Sequence, residues 1–101
     1  MEFQAIGIRE FNRYRKHPDA WVIDLRSREE FEKVHVEGAR NIPYEDLEMF
    51  SKYLPKEKLY LFYCDRGSSS LLAAKDLSRQ GYRTMSLVGG IQSALPNMYA
   101  D

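Results

Sequence analysis

Short apolar runs recur along this chain, and between them lie stretches in which apolar positions come every three or four residues. That alternation predicts parallel strands joined by crossover helices, an α/β fold. FQAIGI, near the start, has the length of a first short strand, and REFNRYRKH after it reads as a polar helix that ends before Pro18. In WVIDL, the residues Trp21, Val22, Ile23 and Leu25 form a nearly continuous apolar run suited to burial on both faces of a sheet. This strand closes at Asp24 to Arg26. Ser27 with Glu30 offers a capping box for a short helix through about Val34. Gly38 and Pro43 bracket ARNI, an edge-like strand, and YEDLEMFSKYL is predicted as an amphipathic helix with Leu47, Phe50 and Leu54 on one side, stopped by Pro55. LYLFYC, residues 59–64, is the strongest strand, with Cys64 as its last residue. DRGSSS leads into LLAAKDLSRQG, a helix with Gly81 as its C-terminal cap, and TMSLV is a further strand closed by Gly89 and Gly90.

At 101 residues the chain has the size of one domain, residues 1–101, with no repeat and no linker. Hydrophobic residues at 44% and charged residues at 30% are an ordinary globular mixture. Lys plus Arg equals Asp plus Glu at 15 each, which gives no basic face for nucleic acid or for an anionic membrane surface. The segment MEFQAIGIREF lacks the cationic-then-apolar pattern of a secretory signal, and no stretch of about 18 apolar residues is present to cross a bilayer. The expectation is a cytoplasmic protein. One cysteine excludes an internal disulfide and a zinc site built on paired cysteines, and no metal or organic cofactor is implied.

That cysteine ends a strand and is followed by a Gly/Ser-rich loop and then a helix. In open parallel sheets ligands bind outside the carboxyl ends of the strands, where this loop must sit. Successive backbone N–H groups and the N-terminus of the following helix make such a loop an anion cradle, in which a sulfur is held as the nucleophilic thiolate. Cys64 is therefore the candidate nucleophile. Asp65, Arg66, Gly67, Ser68, Ser69 and Ser70 are the candidate substrate-binding loop: Arg66 supplies positive charge, Gly67 backbone freedom, and the serines hydroxyl donors, although helix capping is the simpler role for the serines. The alternative for Cys64 is plain core filling.

These residues also carry a resemblance. VIDLRSREEFEKVHVEGARNIP, YCDRGSSS and LVGGI, in that order, are similar to three motifs of the single-domain rhodanese sulfurtransferases, and the likeness runs from about Ile6 to about Leu95. It implies a five-stranded parallel sheet with helices on both faces. It makes Cys64 the residue that accepts sulfur as a persulfide, with the amides of residues 65–69 around it. The implied partners are a small donor, thiosulfate or a persulfide, and a thiol or cyanide acceptor, a thiol-carrying protein among them. The chain departs from the family pattern in three respects. Ser69 stands where many members have arginine, Val34 and Glu37 stand where glycine and proline are common, and QSAL follows GGI where an aromatic residue often comes.

Asp24 and Arg26 match residues that in the family mainly fix the scaffold. His35 reads as a hydrogen-bonded turn histidine, His17 as a helix end, and Tyr60, Phe62 and Tyr63 as strand core. A cysteine phosphatase is disfavoured, because the arginine its loop carries six positions after the cysteine is Ser70 here. A regulatory module on the same fold, non-catalytic or redox-sensing, is the remaining alternative.

Overall fold

The computed structural model describes residues 3–100. Five strands, β1 (Phe3–Ile6), β2 (Ala20–Asp24), β4 (Arg40–Asn41), β5 (Leu59–Tyr63) and β6 (Arg83–Leu87), form one sheet in the order β1-β6-β5-β2-β4. Every pairing in it is parallel. The helices are α1 (Ile8–Tyr14), α2 (Arg28–Lys33), α3 (Leu47–Ser51) and α4 (Ser68–Arg79). Among them, no helix is long and apolar enough to cross a membrane.

The apolar run of β5 places it at the centre of the sheet, buried on both sides. Successive side chains of a strand point to opposite faces. Tyr60, Phe62 and Cys64 accordingly share one core with Leu47 of α3 and Ala73, Ala74 and Leu77 of α4. Leu61 and Tyr63 enter the other core, with Phe11 of α1, Ile91 and Met98. Phe11 is the one buried residue of α1 and meets Tyr63 edge to face at 6.2 Å. The same parity sends Asp24 to the Tyr63 side, where the carboxylate and the phenol meet.

Local signals place the termini of α2 and α4. Ser27 caps α2 by accepting the Glu30 N–H at 3.2 Å. At the end of α4 the N–H of Gly81 reaches Ser78 O and that of Tyr82 reaches Leu77 O, the pairing of a glycine-terminated helix.

Three features differ from the sequence expectation. The segment 44–54 is not one amphipathic helix: a 3-10 turn at Tyr44–Asp46 precedes the short α3. Leu47 is buried as expected, but Phe50 is 45% exposed, because Ser51 takes the inward position one turn after Leu47. The Tyr82 phenol donates to the carbonyls of Ser51 and Leu54, so the segment unwinds to supply acceptors to a buried tyrosine. The first helix ends at Tyr14, earlier than expected, and His17 lies in the turn beyond it. Last, β3 (His35–Val36) and β7 (Tyr99–Ala100) form a separate antiparallel pair.

Candidate active site

Cys64 is the first residue after β5, at the carboxyl edge of the sheet, and is 6% exposed. The chain then turns through Asp65 and Arg66 to Gly67, which occupies the position before the first turn of α4. Gly67 has φ +108, a left-handed conformation that side chains resist. That turn aims its N–H back at the Cys64 sulfur, 3.0 Å away. At the start of any helix the first N–H groups lack intrahelical acceptors, and here the Gly67 N–H just before α4 finds its acceptor in the sulfur. Donation from an amide stabilises the sulfur as an anion.

The other loop residues divide by exposure. The Asp65 side chain is 49% exposed and accepts from Gln92 Nε2 at 3.3 Å. The Arg66 side chain is 86% exposed and 3.9 Å from the Asp65 carboxylate. Ser68 is exposed, Ser69 half-buried and Ser70 wholly buried. None of the three serines acts as the cap, which falls to Gly67 with no side-chain hydrogen bond. Ser70 turns inward instead: its hydroxyl donates to Gly67 O at 3.1 Å and lies 3.6 Å from Cys64 Sγ.

Sequence reasoning missed the groups that buttress this loop. Ser86 on β6 donates to the Ser70 hydroxyl at 2.9 Å, and the Ile91 N–H binds Cys64 O at 2.9 Å. A usable signal existed for Ser86: in TMSLV the polar Thr84 and Ser86 alternate with apolar residues, and polar groups on a buried face need hydrogen-bond partners.

Behind the loop lies a buried charged knot. Arg26 grips the Asp24 carboxylate through Nε and Nη2, at 2.8 Å for the closest pair, and also donates to Val34 O. Tyr63 donates to the same carboxylate and accepts the Val36 N–H at 3.0 Å. Burial, the Asp24 charge and the hydrogen bond to Asp24 push the Tyr63 phenol far above its ordinary value, against the Val36 N–H, which works the other way, and keep it a neutral donor. For Arg26, burial favours the neutral form, but the hydrogen bonds and charge of Asp24, with Tyr63, outweigh it and hold the guanidinium above its ordinary value. The knot joins β2 to the residue preceding Cys64. His35 takes no part, its Nδ1 lying 2.7 Å from Phe31 O and its ring stacked on that of Phe31.

Residues 8–95 match the family model of the Rhodanese-like domain. The chain belongs to the rhodanese-like family. The thiosulfate sulfurtransferase GlpE of Coxiella burnetii is 33% identical over 79 residues, covering 77% of this chain and 74% of that protein. A tRNA sulfurtransferase of Shewanella piezotolerans is 44% identical over 68 residues, which are 63% of this chain and 14% of that protein. Among solved structures, a rhodanese-related protein from Thermoplasma volcanium superposes with a TM-score of 0.82 at 29% identity, covering 89% of this chain and 88% of that one. These relatives support sulfur transfer as the chemistry of the family.

In this rhodanese-like chain the Gly-Gly turn after β6 forms the wall of the loop. A Cβ on Gly90 would lie 2.4 Å from Asp65 O and 2.6 Å from Cys64 O, and the residue also has φ +65. Both obstacles are backbone atoms, so the turn or the loop must move. Gly90→Ala is expected to cost about 1–3 kcal/mol and to slow alkylation of Cys64. Thermal denaturation and iodoacetamide kinetics check this, and a variant with wild-type stability and reactivity would show that the loop tolerates displacement.

Proposed function

We propose that the chain is a sulfurtransferase that carries sulfane sulfur as a persulfide on Cys64. The supporting observation is the Gly67 N–H aimed at the Cys64 sulfur from the helix-starting loop at the carboxyl edge of the sheet. The Cys64 thiolate attacks the outer sulfur of thiosulfate or of a persulfide donor. A new S–S bond forms, the donor's own S–S bond breaks, and sulfite or a thiolate leaves with the electron pair. The persulfide anion then lies against the loop amides, dipoles already in place for its charge. An acceptor thiolate or cyanide attacks the outer sulfur and Cys64 departs as thiolate. Ser70, wholly buried, stands where a phosphatase of similar loop would carry its phosphate-binding arginine.

Mass spectrometry of the Cys64 peptide after incubation with thiosulfate, and separately with a small persulfide, tests the proposal. A gain of one sulfur is expected. No gain from either donor would leave a binding module.

Arg66 is expected to act on donor capture. Thiosulfate is a dianion, so an arginine at the loop favours its approach, but this side chain is 86% exposed and near Asp65. Solvent screening reduces such a charge to a modest effect, and Arg66→Ala should lower kcat/KM for thiosulfate about three- to ten-fold. The acceptor half-reaction should change less, and the loss should shrink as salt rises. Equal single-turnover rates of persulfide formation at low salt would show that Arg66 is only a surface charge.

A further inference from the structure

Behind the Cys64 sulfur stands a buried pair of hydroxyls that the transfer steps above do not use. Ser70 is 0% exposed and Ser86 2%. Ser86 donates to the Ser70 oxygen at 2.9 Å, Ser70 donates to Gly67 O at 3.1 Å, and the Ser70 oxygen is 3.6 Å from Cys64 Sγ, within reach of a thiol proton. A serine hydroxyl has one proton and two acceptor sites. With the thiol protonated, Ser70 therefore accepts from Cys64 and Ser86 and gives its own proton to Gly67 O. Once the thiol proton has left to solvent, the sulfur has nothing to donate and needs donors. The Ser70 hydroxyl has two acceptors within reach, and the sulfur is then the charged one.

We propose that Ser86 is a positioning residue for the nucleophile: it holds the Ser70 oxygen from behind, so that the Ser70 hydroxyl turns from the Gly67 carbonyl to the Cys64 sulfur when the thiol ionises. The sulfur then has two donors, the Gly67 N–H from the loop and the Ser70 hydroxyl from the core side. Ser86 keeps one acceptor site of Ser70 filled in both states, which leaves that proton only the carbonyl or the sulfur. The charged side chains of the loop, Asp65 and Arg66, are 49% and 86% exposed, so in this buried direction the relay is the polar contact that reaches the sulfur. The inference deepens the reading of Cys64 as nucleophile and rests on it for its place in sulfur transfer.

Thr84 provides the control. It lies on the same face of β6 two residues before Ser86, is 3% exposed, and donates to Ala74 O of α4 at 2.7 Å. Thr84→Val removes a buried hydrogen bond between β6 and α4 without touching the relay.

The test is the rate of iodoacetamide alkylation of Cys64 at neutral pH in the full chain, with a denaturation midpoint recorded for each variant. Without Ser86 behind it the Ser70 hydroxyl is no longer held toward the anionic sulfur, and loss of that one hydrogen bond predicts that Ser86→Ala reacts about five- to ten-fold more slowly. Ser86→Thr should restore the rate, and Thr84→Val should stay within about two-fold of wild type. An unchanged rate in Ser86→Ala, an equal slowing in Thr84→Val, or a folded Ser86→Thr that does not recover would each overturn the relay. Should Ser86→Ala not fold, Ser70→Ala removes the hydroxyl itself, and a wild-type rate there overturns the proposal. Alkylation needs no sulfur donor. A slow Ser86→Ala in a chain that never gains sulfur would uphold the relay and sink the transferase reading, and a wild-type rate in a chain that does gain sulfur would do the reverse.

Discussion

Cys64→Ser is expected to gain no sulfur from thiosulfate or from a persulfide donor, while its unfolding transition stays close to that of the wild type. The exchange replaces sulfur by oxygen at a loop position. The serine oxygen can still accept the Gly67 N–H, and because the exchange is nearly isosteric little packing is lost although the residue is buried. Chemistry is lost because an alcohol at neutral pH is not ionised and attacks sulfur poorly. Peptide mass spectrometry and steady-state transfer measure it, and residual transfer above a few per cent of wild type would end the case for Cys64 as the carrier. In the wild type, varying donor and acceptor should give parallel double-reciprocal lines, since the first product leaves before the acceptor binds. Intersecting lines would point to a ternary complex.

Asp24→Leu is expected to destabilise the chain by about 3–5 kcal/mol, the cost of leaving a buried cation without its partner. Asp24 is 0% exposed and Arg26 8%, and the carboxylate serves the Arg26 guanidinium, the Arg26 N–H and the Tyr63 hydroxyl at once. Both partner side chains, Arg26 and Tyr63, are buried with it, so bulk solvent does not readily take the place of the carboxylate. The paired change Asp24→Leu with Arg26→Met should cost less than Asp24→Leu alone, because it removes the stranded charge together with its partner. Chemical denaturation of the two variants decides the sign. A loss below about 1 kcal/mol for the single variant would mean that Arg26 finds enough acceptors elsewhere, Val34 O being the nearest. A consequence should also reach Cys64, since Tyr63 directly precedes it and the Tyr63 carbonyl accepts the Leu25 N–H at 2.9 Å.

Much of this site was legible in the chain because its signals are local. The aromatic-rich apolar run LYLFYC, short and bounded by charged residues and a turn, reads as a buried strand, and the period of a strand sets Cys64 on the face of Tyr60 and Phe62. A glycine and three serines before a helical run place the sulfur beside a helix N-terminus. The Ser27 cap and the glycine end of α4 depend only on residues a turn apart, and both formed as expected. The serines of the loop were misjudged as caps for a related reason: their local preference was read without the neighbouring strand that draws Ser70 inward.

What sequence alone determined, then, is the succession of the main sheet strands and crossover helices, the face of β5 that each of its side chains takes and the cysteine at its carboxyl end, since each follows from propensity and period over a few neighbouring residues. The tertiary structure decided which distant residues gather around that cysteine. Strand β6 lies beside β5, and this brings Ser86 to Ser70 across 16 positions, while the pairing of β2 with β5 brings Tyr63 to Asp24 across 39. It also unwound residues 44–54 to meet Tyr82 and set Gly90 against the loop carbonyls. Hydrophobic pattern records only that a face is buried. Which partners share that burial depends on how strands order and helices pack, and those choices are made by the whole chain at once.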